Sequence, residues 1–300
     1  MKVSLENAMK HIKRTGLAVL LLITLASLPA PALAQADFAG VWSSINNEDK
    51  EPRDPLPGEY AGIPLNEAGK MRANTWSAAI WQLQEWQCRP HPINYWARSP
   101  HAILIQPEFN PYTREVTGFH VQMGESTETI VYIDDRPHPA ENALHTWNGF
   151  STGEWIGDTL KFTTTHLKES YLRRNGVEFS DQATITQYWM RRGDILTWVQ
   201  ITKDPVYLSE PFVRISEFRY NPRGFLDADQ CVTAQEGDYK RGDVPRFFPG
   251  ENPTLHIYSD QFESPYEANM GGAETMYPEY REKLKALGGV RIPKKPFDPR

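Results

Sequence analysis

From about His101 to Tyr220 the large apolar residues of this chain recur at every second position, and no other feature constrains the fold as strongly. Successive side chains of a strand point to opposite faces, so a sustained period of two calls for a sheet. Strands are expected at His101 to Gln106, Gly118 to Met123, Thr129 to Asp134, Thr159 to Leu167, Ala183 to Arg191, Ile195 to Lys203 and Phe212 to Tyr220, all rich in β-branched or aromatic residues. Gly157-Asp158 and Gly193-Asp194 fall between strand-like stretches, where glycine at the first turn position suits a tight hairpin. Short strands joined by tight turns, without intervening helices, predict an antiparallel meander. A meander of this length has to hide its edges, so the expected fold class is mainly β, an antiparallel closed barrel or a sandwich.

The flanks follow other rules. Asp37 to Trp42 reads as a first short strand, and Asn46 to Pro64 as a Pro- and acid-rich surface loop. Leu65 to Gln87 lacks proline and is rich in Ala, Gln, Glu and Met, which predicts an N-terminal helix over about 65–87 with Trp76, Ile80 and Leu83 near one face. Trp81 and Trp86 fall off that stripe, which suits covering a neighbouring element. Beyond Cys231 the chain is irregular, with Pro245, Pro249 and Pro253, and one short helix is expected from Tyr277 to Leu287. So small a segment has no core of its own. Residues 236–300 are therefore expected to wrap over a single barrel domain spanning 35–300, with 45–100 as a loop-and-helix insertion.

The first 34 residues carry Lys2, Lys10, Lys13 and Arg14, then the apolar run Gly16 to Leu28, then Ala32-Leu33-Ala34. A charged region, an apolar core and an A-x-A site in that order make residues 1–34 a signal peptide, and the expected location periplasmic or secreted. The apolar run is about a dozen residues where a bilayer needs about twenty, so no integral membrane segment is expected after cleavage. Losing the signal takes the net charge from −6 to −9, which disfavours nucleic acid as a partner. In an oxidising compartment Cys88 and Cys231 are free to pair; two buried thiols are the alternative.

The clearest polar cluster is Asp134, Arg136 and His138, at alternate positions where a strand runs into a Pro-flanked turn. Such groups suit proton transfer on a bound carbonyl or alcohol, and equally a salt-bridged turn. His166 continues the row Leu160, Phe162, Thr164, and His120 shares a face with Gln122 in an earlier strand, so both are candidate acid/base or core histidines. Tyr132, Trp147, Tyr188 and Trp198 supply candidate ligand-binding aromatic surface, with Tyr188 and Trp198 placed as cross-strand neighbours. No nucleophile elbow, Walker loop, dinucleotide fingerprint or spaced His-Glu metal signature occurs, so no organic cofactor is implied, and a metal site built from His138, His145 and histidines of other strands is the minor alternative to no metal at all.

Val131 to Pro139, Gly149 to Leu160, Asp204-Pro205, Pro211-Phe212, Cys88-Arg89-Pro90 and the late Cys231 together resemble a group of exported, largely uncharacterised bacterial proteins with a lipocalin-like (calycin-like) β-barrel. The resemblance covers roughly residues 85–235 and implies a fold more than an activity. Ile130, Asp135, Phe150 and Thr186 depart from that group's usual Arg, Gly, His and Glu, and three of these exchanges, at Ile130, Phe150 and Thr186, imply a more apolar interior. Barrels of this size can enclose a ligand-sized cavity. The expected partner is thus a small apolar or aromatic molecule held in the lumen. The alternatives are an enzyme of the same fold acting on such a molecule by acid/base chemistry (an isomerase, dehydratase or lyase), and a structural envelope protein with a solid core.

Overall fold

The alternation becomes a barrel wall. The computed structural model describes residues 35–45, 55–97, 101–123, 128–226 and 231–288. Its strands are β1 (Gly40–Ile45), β2 (Ile103–Phe109), β3 (Val116–Met123), β4 (Thr129–Tyr132), β5 (Phe150–Ile156), β6 (Thr159–Thr165), β7 (Ser170–Arg173), β8 (Val177–Phe179), β9 (Thr184–Arg192), β10 (Ile195–Lys203) and β11 (Phe212–Tyr220). Nine of them close in the order β1-β11-β10-β9-β6-β5-β4-β3-β2, while β7 and β8 form a separate hairpin. Both Gly-Asp turns are two-residue hairpin loops, and Gly157 and Gly193 adopt the positive φ that such loops require.

One ladder departs from the expected antiparallel order. β4 and β5 run parallel, Val131 opposite Ser151 and Tyr132 opposite Thr152. The irregular connection over 133–149 returns the chain to the end from which β4 began, as a parallel pair requires. A period of two carries no information about strand direction.

The expected continuous helix over 65–87 is broken. Helix α1 (Glu67–Asn74) is capped by Asn66, whose side chain accepts a bond from the Gly69 N–H at 2.9 Å. At Thr75 the chain leaves the helix, Trp76 pairs with Arg246 in an isolated bridge, and Ser77 caps a separate 3-10 turn over Ala78–Gln82. The cause is tertiary competition for the backbone, since Asn252 donates to the Asn74 and Trp76 carbonyls at 2.8 and 3.0 Å and the Phe247 N–H to that of Thr75 at 2.9 Å. A further short helix, α2 (Ile93–Trp96), follows. The C-terminal segment likewise holds three short helices, α3 (Ile257–Phe262), α4 (Tyr266–Asn269) and α5 (Tyr280–Ala286), in place of the single one expected. Its backbone also bonds to the 60–63 loop, through Tyr60 N–H to Asn269 O and Gly272 N–H to Ile63 O.

Ala36–Arg300 forms one unit. The expected signal peptide lies outside the described residues. Among those described, no helix is long and apolar enough to cross a membrane. Cys88 and Cys231 are joined, 143 positions apart with Cα atoms 5.5 Å from each other, and closing so long a loop contributes about 3–5 kcal/mol.

Charge seals the junction between α1, the β7–β8 hairpin and the C-terminal segment. Arg72 contacts both Glu169 and Glu178, Arg246 donates to both Glu178 oxygens at 2.9 and 3.0 Å, and the Tyr207 hydroxyl donates to Glu169 at 2.8 Å. Glu178 is only 5% exposed. Removing one member of such a buried network strands the others, so Glu178→Ala is expected to cost about 3–5 kcal/mol in urea unfolding. Glu282→Ala, which breaks the exposed pair with Lys285, is expected to change stability by less than about 1 kcal/mol.

Candidate functional site

The barrel interior is packed with aromatic side chains. Phe38, Trp42, Phe162, Trp189, Trp198 and Phe218 are all essentially buried, and the Trp189 ring lies 5.0 Å from Phe162, 5.2 Å from Trp198 and 5.5 Å from Phe38. Trp155 stacks on Phe38 at one end, with centroids 5.6 Å apart and planes within 8°. At the other, the buried Ile93 and Trp96 of α2 join the same core, and Gln200 donates to the Ile93 carbonyl at 3.3 Å. A short polar layer interrupts the apolar fill, in which Gln187 Oε1 accepts from Trp198 Nε1 at 2.7 Å and from Gln200 at 3.0 Å.

Of the four candidate ligand-binding aromatics only Trp198 faces this interior. It opposes Trp189, while Tyr188 opposes Val199 and points outward, because directly paired residues share a face and Trp198 pairs with Trp189, the neighbour of Tyr188 on the other face of β9. His120 alternates with the buried Phe119 and Val121, lies on the outer face and contacts Glu128. Ile130, Phe150 and Thr186 are also outward, so the substitutions expected to make the interior more apolar alter its outer wall instead. Tyr132 is outside as well, beneath the Arg136 guanidinium, which lies 3.5 Å from its ring. Arg136 forks onto Asp134 through two bonds of 2.7 Å, and this fork holds the Asp134 carboxyl below the usual carboxylate range. The pair is a surface staple for the turn. His138 is not part of it.

His138 instead begins a directed chain with His166, which the strand pattern had placed in the inner row. β6 ends at Thr165, and a positive φ at His166 turns that residue out of the Leu160-Phe162-Thr164 row. Its Nε2 lies 2.8 Å from the Ala140 carbonyl, which can only accept, so Nε2 carries the proton and Nδ1 accepts from the Thr165 hydroxyl at 2.6 Å. Thr165 Oγ1 then accepts from His138 Nε2 at 2.6 Å, and His138 Nδ1 accepts from the Thr152 hydroxyl at 2.8 Å. All four ring nitrogens are used. His145 differs: its Nδ1 donates to the Leu167 carbonyl at 2.9 Å, its Nε2 has no hydrogen-bond partner among the described residues, and its ring lies 5.3 Å from that of His166. The three histidines, Glu141 and Asp181 line an open cleft of about 650 Å³. Among the described residues no group of three His, Cys, Asp or Glu side chains is placed to hold a metal ion.

A second cleft, of about 300 Å³, lies beside the disulfide. Cys88 and Cys231 form part of its wall, and Trp81, Trp86, Tyr171 and His91 the rest of its aromatic lining. The rings meet edge to face, Trp81 to Trp86 at 5.9 Å, Trp81 to Tyr171 at 5.6 Å and His91 to Tyr171 at 5.9 Å, the arrangement their quadrupoles favour. Burial, with the Arg174 charge nearby, pushes His91 down to about 4, so it is neutral at physiological pH. Trp147, the remaining candidate aromatic, borders this region, because the Arg89 guanidinium lies between it and Trp86, 4.6 and 3.5 Å from the two rings. Sequence reasoning missed Arg89, His91, Tyr171 and Arg174 as site residues. The one available signal was that Trp81 and Trp86 do not fit the helical stripe.

Comparison with protein-family models, with curated proteins and with solved structures gives no match.

The histidine chain has a measurable consequence. Burial, reinforced by His166, holds His138 below its ordinary value of 6.5. As pH falls through that value the unfolded chain binds a proton that the folded chain resists, so this contribution to stability is present above 6.5 and is lost in acid. Thermal midpoints measured from neutral pH into the acid range are expected to fall more steeply for the unsubstituted protein than for His138→Gln.

Proposed function

We propose that the protein is an exported, lipocalin-like barrel that binds a small aromatic molecule, and that the molecule sits in the rim cleft between Trp81, Trp86, Tyr171 and His91 while the lumen serves as a rigid core. The observation that carries this reading is the convergence of those four rings on a cleft of about 300 Å³, at the lower end of ordinary ligand pockets, while the barrel axis is already filled by Trp189, Trp198 and their neighbours. Export is supported by the charged-apolar-small order of residues 1–34 and by the Cys88–Cys231 bridge, a bond characteristic of oxidising compartments. The large apolar ligands that a hollow barrel would take are a poor fit to so small a space.

A second reading, acid/base catalysis, is favoured by one feature. His145 is oriented by its Nδ1 bond to the Leu167 carbonyl and lines a cleft with an Nε2 that has no hydrogen-bond partner among the described residues, and a general base is commonly oriented by such a bond to its other ring nitrogen.

Tryptophan fluorescence and thermal-shift titration against steroids, fatty acids, terpenoids and lignin-type aromatics separate these outcomes. Saturable binding is expected for single-ring aromatics and not for steroids. Trp81→Ala removes one wall and is expected to weaken binding about tenfold, a loss of about 1.4 kcal/mol. A steroid that binds saturably, with affinity unchanged in Trp81→Ala, would return the site to the lumen.

A further inference from the structure

The charge of the cleft identifies more of its ligand than the rings do. Arg174 occupies the turn between β7 and β8, and that turn is held in place. The Asn175 amide donates to the Leu56 and Glu59 carbonyls at 2.9 and 3.0 Å, and Gly176 packs so closely on Trp76 that a Cβ there would lie 2.5 Å from the Trp76 Cβ. The Arg174 guanidinium lies 4.5 Å from the Trp81 ring centre, and the side chain is exposed and forms no ion pair among the described residues. Arg89 lines the same cleft, its guanidinium 3.5 Å from the Trp86 ring centre and its Nε donating to the Glu85 carbonyl at 2.7 Å. Its terminal nitrogens likewise meet no carboxylate among the described residues. Against these two cations the lining contains one acid, Glu236, and His91 is neutral.

A guanidinium held over an aromatic ring and without a carboxylate partner keeps N–H groups for a further acceptor, and arginine grips a planar carboxylate through two parallel bonds. We propose that the ligand of this cleft is a small aromatic carboxylate, its ring against Trp81, Trp86 and Tyr171 and its carboxylate on the edge of Arg174, with Arg89 adding a second positive charge. A single ring with a short acid arm is the size that the cleft accommodates. This inference rests on the aromatic-binding reading above and adds the anionic group to it.

The test compares acids with their uncharged isosteres, phenylacetate with phenylacetamide and benzoate with benzamide, by calorimetric titration of the purified protein with its disulfide intact. Each acid is expected to bind about tenfold or more tightly than its amide, as a charge-assisted fork does. The preference is expected to vanish in Arg174→Gln and to survive in part in Arg174→Lys. Equal affinity for acid and amide would overturn the carboxylate assignment and leave aromatic binding standing. No binding of either would overturn both. An acid preference that persists unchanged in a folded Arg174→Gln protein would overturn the placement at Arg174. Should Arg174→Gln fail to fold, the acid-to-amide ratio of the unsubstituted protein and of Arg174→Lys still decides the matter.

Discussion

β1 pairs along both of its edges, with β11 through Trp42 opposite Tyr220 and with β2 through Val41 opposite Leu104, and these two ladders turn an open sheet into a barrel. Closure removes the exposed edges that a meander of this length would otherwise present. It also defines a single inside. Every inward residue of the nine strands is then committed to one shared volume, and the chain fills that volume with indole and phenyl rings. The Trp42 indole N–H bonds to the Phe38 carbonyl at 2.9 Å, which ties the segment entering β1 to the core that β1 closes.

A filled barrel shifts the chemistry to the periphery. The elements outside the barrel have little core of their own, and they are fastened by interactions that the barrel strands do not need: the disulfide, the Arg72-Glu178-Arg246 network and the cation–π stacks of Arg89 and Arg174. These fastenings bring aromatic rings and two guanidinium groups together around a small cleft tied to the rest of the protein by a covalent bond. Rigidity of this kind lowers the ordering cost of binding. The histidine chain at the other cleft has the opposite emphasis, since the ring nitrogens of His138 and His166 are all bonded within the protein, and among the described residues His145 Nε2 has no hydrogen-bond partner.

The fold was largely legible because half-buried strands write their faces into the sequence. Ile195–Lys203 and Phe212–Tyr220 lie where the alternation puts them, and the Gly-Asp turns where glycine puts them. The stretch over 65–87 was not legible, because helix propensity is a small term and the backbone of Asn74 to Trp76 is claimed by Phe247 and Asn252, more than 170 positions away. The short hairpin of β7 and β8 was missed for a related reason. It is buried on both faces, so it shows no alternation.

The sites divide in the same way. Asp134 with Arg136 was readable as a local pair, since opposite charges two residues apart meet readily across a turn, and the turn forms at Asp135, whose φ is positive. The assembly of Trp81, Arg89 and Tyr171 with Arg174 had no local signature, because its members come from separate elements and meet through long-range packing alone. By itself the sequence determined a mainly β fold, the position of most strands and the identity of the residues able to form its core, all of which follow from local periodicity and turn chemistry. Only the tertiary structure decided that the barrel closes around a ring-filled interior, that β4 and β5 run parallel, and that cationic and aromatic side chains converge beside the disulfide, because those outcomes depend on which distant segments compete successfully for the same space and the same hydrogen bonds.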